Sequence, residues 1–178
     1  MNTPAASHSS TQAEVWAALD PLTDPEIPVI TLREMGILRE VRQGGDGVTE
    51  VVITPTYSGC PAMGQIEDDV RAALAAAGMP ARVVTQLAPA WTTDWMNDAA
   101  RDKLRAYGIA PPQCASHAPA GGSAVVRFAG RSPSATDVPC PRCGSSSTTE
   151  ISHFGSTACK AQYRCLDCME PFDYFKPY

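Results

Sequence analysis

The chain has 178 residues, with 14 Lys and Arg against 19 Asp and Glu, a formal charge of -5 and a pI near 5.1. That length allows one domain or two small ones with modest cores, and the acidic balance argues against a general binder of phosphate backbones. No run approaches the about 18 apolar residues that a membrane span requires, and nothing resembles a secretory signal, so a cytoplasmic location without membrane attachment is expected.

In chain order, residues 1–12 are small and polar and read as a disordered tail. Thr11 to Leu19 places Val15, Trp16 and Leu19 at spacings that suit a short first helix, with Thr11 as its cap. Asp24-Pro25-Glu26-Ile27-Pro28 cannot be helical, because two prolines fix an extended, turned loop. It sets two carboxylates beside Val29 and Ile30, and composition alone favours a solvated loop. Ile37 to Arg42 and Val48 to Ile53, joined by Gln43-Gly44-Gly45-Asp46-Gly47, read as a β-hairpin.

Thr54-Pro55-Thr56-Tyr57-Ser58-Gly59-Cys60-Pro61-Ala62-Met63 hands a strand over to a helix. Pro61 suits a first helical position, which would put Cys60 at or beside the N-cap. Free N–H groups and the helix dipole favour a thiolate there, fit to bind a soft metal or attack sulfur. A buried, inert thiol is the competing reading. The helix is expected to stop at Gly78, with Pro80 beyond. Ala81 to Leu87 then returns as a third strand, parallel to its partner in a mixed sheet. After Pro89-Ala90-Trp91-Thr92-Thr93-Asp94, a last helix capped by Thr93 or Asp94 runs to Tyr107-Gly108, with Trp91 and Trp95 in packing roles.

From Ile109 to Val138 prolines and glycines break every pattern except Val125 to Phe128, a candidate short strand. Cys114 has no partner near it in sequence. Beyond the linker, Cys140-Pro141-Arg142-Cys143 and Cys165-Leu166-Asp167-Cys168, flanked by short β-type segments, describe a zinc ribbon. Four thiolates close a tetrahedral site with no open position, so the metal folds the module and does not catalyse. Rubredoxin-like iron on the same sulfurs and a redox dithiol are weaker alternatives. Cys159, beside Lys160, stands outside the scheme as a spare thiol or a second functional one. The resulting fold class is α+β: a two-layer domain with a mixed three-stranded sheet over 13–108, a linker over 109–138, and an all-β zinc ribbon over 139–178.

Asp24-Pro25-Glu26-Ile27-Pro28, Met35-Gly36-Ile37-Leu38 and Thr54 to Pro61 together resemble the iron–sulfur assembly domain of SufT-like proteins. With Pro89 to Trp95, Tyr107 to Pro112 and the ribbon, the whole from Val15 to Tyr178 is similar to the PaaD family, encoded with the multicomponent phenylacetyl-CoA epoxidase. The resemblance implies an accessory protein that helps to assemble or insert an iron or iron–sulfur centre into the oxygenase or reductase component, and is not itself catalytic. The chain has none of the helical Glu-x-x-His pairs, dinucleotide turn or ferredoxin cysteine run of an oxygenase or its reductase. Cys60 would hold iron or a cluster transiently, with Asp24 and Glu26 as ligands or client contacts. A further ligand would come from Cys159, a second copy in a homodimer, or the client. Zinc on Cys140, Cys143, Cys165 and Cys168 would be structural. A scaffold component of the epoxidase and a thiol oxidoreductase using Cys60 with Cys159 are the rival readings. A nucleic-acid-binding ribbon is disfavoured by its acidic residues.

Overall fold

The computed structural model describes residues 12–113 and 138–178. The expected tail, the Thr11 cap, Cys114, most of the linker and the candidate strand Val125 to Phe128 lie outside the described residues. The chain divides into two compact units, one ending at Trp91 and the other beginning at Thr92.

In the first unit α1 (Gln12–Leu19) buries Val15 and Leu19. The hairpin pairs β1 (Leu38–Gln43) antiparallel with β2 (Thr49–Ile53), with a register irregularity between Leu38 and Glu40. Gly47 sits at φ 79° in the connecting turn, a left-handed conformation in which a side chain would be strained. From β2 the chain passes through the Cys60 turn into α2 (Met63–Ala76), whose stripe Ile66, Val70 and Leu74 is fully buried at i, i+4 and i+8. Gly78, at φ 67°, ends the helix as expected, and Met79 N–H donates back to Leu74 O at 2.9 Å. β3 (Ala81–Thr85) then runs parallel to β2 in register Val51↔Val83, giving a mixed sheet in the order β1-β2-β3.

The loop of residues 24–28, expected to be solvated, is only partly so: Pro25 and Pro28 are exposed, but Asp24 and Ile27 are buried. Ile27, Ile30, Leu32 and Met35 are almost wholly buried, and Asp24 with them. Asp24 N–H bonds Ile30 O at 2.9 Å, Leu32 N–H bonds Leu22 O at 2.8 Å, and Thr23 bridges Thr31. Prolines kept this segment from being a helix or strand, yet its apolar residues are as much core as those of the sheet. Trp91 closes the unit: it is buried, and its indole N–H donates to Met35 O at 3.1 Å.

The second unit is built on a four-stranded sheet, β4 (Ile109–Ala110), β7 (Pro171–Phe175), β6 (Lys160–Cys165) and β5 (Thr148–Ser152), in that spatial order. β5, β6 and β7 form the antiparallel ribbon, and β4 adds parallel to β7 with Ile109 opposite Asp173. The sheet therefore recruits residues that the sequence had assigned elsewhere. α3 (Asp98–Tyr107), expected at the end of a first domain reaching residue 108, and β4, expected in the linker, both fall in the ribbon's unit. The α3 cap also differs: Thr93–Trp95 is a short 3-10 turn, and Asn97 caps α3, accepting from Ala100 N–H at 2.8 Å. Arg101 on α3 donates to Thr93 O at 2.7 Å and Pro112 O at 2.8 Å, pinning the segments on either side of the helix.

Candidate metal centre and thiol site

The four ribbon cysteines meet at one point. Their Sγ atoms all lie within 4.8 Å of one another, Cys140 to Cys168 at 3.8 Å and Cys143 to Cys165 at 3.6 Å. A regular tetrahedron with zinc–sulfur bonds of about 2.3 Å has sulfurs about 3.8 Å apart, so the set fits a closed zinc site. The local folding reason is the pair of turns. Gly144 N–H bonds Cys140 O at 2.9 Å, with Gly144 at φ 77°, and Cys165 N–H bonds Glu170 O at 3.0 Å. Cys140 and Cys165 are buried while Cys143 and Cys168 face outward. A hydrogen bond from Ser145 Oγ to Asp167 joins the two turns, a brace the sequence reading missed.

Among the four sulfurs alone, the N–H groups of Cys168 and Asp167 draw the Cys165 thiol down to about 7. For Cys168 the Glu170 N–H also favours the thiolate, but burial and the neighbouring sulfurs outweigh it and push that thiol up to about 12. Sulfurs this close titrate as a set, and they cannot all lose protons without a cation to neutralise them. Zinc does this.

The second group lies in the first unit. Cys60 is half-buried on the turn between β2 and α2, with its N–H donating to Tyr57 O at 3.2 Å and Met63 N–H donating to its carbonyl at 3.3 Å. The helix begins at Met63 with Ala62 at the N-cap, so Cys60 precedes the cap position expected for it. The expected low thiol pKa is reversed. Burial pushes the Cys60 thiol above its ordinary value; the N–H groups of Ala62 and Met63 pull the other way, and the charges of Glu26 and Asp24 add to the rise. The helix terminus does reach the sulfur, but burial and the two carboxylates outweigh it. Glu26→Gln removes one of these charges and is expected to speed alkylation of Cys60 by iodoacetamide near pH 8. An unchanged or slower rate would mean that the carboxylate does not act on the thiol.

Asp24 has a structural task as well. Its Oδ1 accepts from Glu26 N–H at 2.9 Å and Ile27 N–H at 2.8 Å, while Glu26 is half-exposed. The fold thus brings Asp24, Glu26 and Cys60, distant in sequence, into one electrostatic neighbourhood. Cys159 is in the other unit, buried, with its Sγ 3.0 Å from Thr157 Oγ1. The ammonium of Lys160 lies 3.6 Å from Asp173.

Residues 12–86 match the "Iron-sulfur cluster assembly protein" family and residues 127–176 the "PaaD zinc beta ribbon domain" family. A protein of Escherichia coli K12, provisionally named as a component of 1,2-phenylacetyl-CoA epoxidase, is 50% identical over 92% of this chain and 91% of its own length. The Fe-S protein maturation auxiliary factor YitW of Bacillus subtilis is 32% identical over 52% of this chain and 84% of its own. An Fe-S protein maturation auxiliary factor of Porphyromonas gingivalis is 33% identical over 53% and 90%. Among the described residues, no helix is long and apolar enough to cross a membrane.

Proposed function

The chain belongs to the PaaD family, and on that premise we propose that it is an accessory maturation factor of a phenylacetyl-CoA epoxidase, assisting assembly or insertion of an iron or iron–sulfur centre into the reductase or oxygenase component. The observation that carries this reading is that the charges of Glu26 and Asp24 act on the half-buried Cys60 thiol, within the unit that matches iron–sulfur assembly proteins. The two carboxylates that disfavour a bare thiolate favour a metal cation bound to one, since the cation reverses the sign of the field. Cys60 supplies the soft ligand, and Asp24 and Glu26 supply oxygen ligands or client contacts. One thiol holds a centre weakly, so the remaining ligands come from the client or from a second copy of the chain, and the centre can be passed on by ligand exchange. The zinc ribbon supplies a rigid surface against the client.

The test is metal and sulfide content, with a visible spectrum, on protein purified without oxygen, wild type beside Cys60→Ser. The expected result is equal zinc in both, with substoichiometric iron and sulfide only in the wild type. Zinc without iron in both proteins would defeat the carrier reading and leave a scaffold component of the epoxidase.

A further inference from the structure

The first cysteine turn touches more than its metal. Arg142 stands between the zinc ligands Cys140 and Cys143, in the turn closed by Gly144 N–H on Cys140 O. Its side chain is exposed, and among the described residues no carboxylate pairs with it. The guanidinium lies instead against Gly108. A Cβ at that glycine would stand 3.0 Å from Arg142 Nη2, 3.3 Å from Cζ and 3.5 Å from Nε. Distances so similar mean that the guanidinium plane is broadside to the Gly108 α-carbon and not end-on to it. Gly108, at φ 95°, is where α3 ends and β4 begins, so backbone and guanidinium both disfavour a side chain there.

The place suits a cation. Gly108 N–H closes α3 on Arg105 O at 3.1 Å, and the carbonyls of that last turn carry the negative end of the helix dipole. A planar guanidinium can also lie flat on a bare peptide, which an ammonium cannot. The hold on the sheet just beyond is short, since β4 has only Ile109 opposite Asp173 and Ala110 opposite Tyr174. Ala110 is buried in the same cluster as Cys140 and Cys165. Arg101, near the start of α3, ties that half of the helix to Thr93 and Pro112. Arg142 meets the other end.

We propose that Arg142 is a positioning residue that couples α3 to the zinc site. The metal closes the turn of Cys140 and Cys143, and the turn aims the guanidinium at Gly108. The guanidinium in turn holds the carboxyl end of α3, and β4 with it, on the sheet. Zinc occupancy is thereby felt by a helix that supplies no ligand. The device is independent of Cys60, so the maturation reading and this one fail separately.

The test is amide hydrogen exchange on the full, zinc-loaded chain, wild type beside Arg142→Ala, Gly108→Asn and the double variant. Asparagine tolerates positive φ better than other side chains do, but its Cβ would push the guanidinium from its seat. In Arg142→Ala the amides of residues 104–110 are expected to exchange roughly twofold to fivefold faster, the size of a cation effect at a helix carboxyl end. Exchange at Tyr163 in β6 and the zinc content are expected to stay as in the wild type. Gly108→Asn is expected to accelerate the same amides, and the double variant to be no faster than Gly108→Asn alone. Unchanged exchange of α3 in Arg142→Ala, additive effects in the double variant, or equal acceleration in β6 would overturn the proposal. Loss of zinc from Arg142→Ala would overturn it too, by making Arg142 a support of the metal turn alone.

Discussion

Cys165→Ser is expected to release the metal and unfold the second unit while the first stays folded. Cys165 is completely buried at the end of β6, its Sγ 3.6 Å from that of Cys143, and Cys168 N–H points at it from 3.5 Å. A serine oxygen there is a poor zinc ligand, and it leaves three crowded sulfurs that cannot all be thiolates. The apolar cluster that remains is small: Ala110, Val138, Ala161, Tyr163, Phe172 and Tyr174 with the two buried cysteines. Structural zinc supplies about 10–16 kcal/mol in comparable modules, more than such a cluster gives in its place. Zinc content and the dispersion of amide resonances check this together. Stoichiometric zinc with an intact ribbon spectrum in the variant would show that three sulfurs suffice. Acidification works in the same direction, because protons compete with the metal for sulfur, so stability of this unit falls as pH falls.

Asp24→Ala is expected to destabilise the first unit by about 3 kcal/mol, whereas Asp24→Asn costs much less. Two buried or part-buried N–H groups, those of Glu26 and Ile27, donate to one carboxylate oxygen. Alanine leaves both without that acceptor and loosens the loop that buries Ile27 and Ile30; asparagine keeps an acceptor and removes only the charge. Urea midpoints of the three proteins check the order. If alanine and asparagine are equally destabilising, the charge and not the hydrogen bonding is what the loop requires. The pair also separates the two duties of this residue: an iron site that needs a carboxylate is weakened by asparagine even where the fold is kept.

The zinc site was legible because it is nearly local, two short turns that each state their purpose in four residues. Cys60 was legible as a position and misleading as an electrostatic environment. Its helix-terminal neighbours are adjacent in sequence, but burial, which dominates its thiol, is a tertiary property, and the two carboxylates that add to it come from a loop more than thirty residues earlier. That loop was itself misjudged because proline content says what backbone is forbidden and not whether Ile27 and Ile30 are covered. The membership of α3 and β4 could not be read either, since the partner of Ile109 is Asp173, on the far side of the linker. Gly108, at φ 95°, marked the end of α3 correctly, but a helix stop does not say which core the helix serves.

Thr93 N–H donates to Tyr178 O at 3.2 Å, so the strand of chain entering the second unit is fastened to the one leaving it. A module whose entrance and exit touch behaves as a cassette: its ends can be joined by a short linker and new ends opened elsewhere with little change in loop entropy. A circular permutant cut between the exposed His153 and Phe154 would keep every strand pairing of the ribbon. A bulky tag attached at Tyr178 would emerge beside Thr93, which makes an amino-terminal tag the safer handle for experiments on this chain.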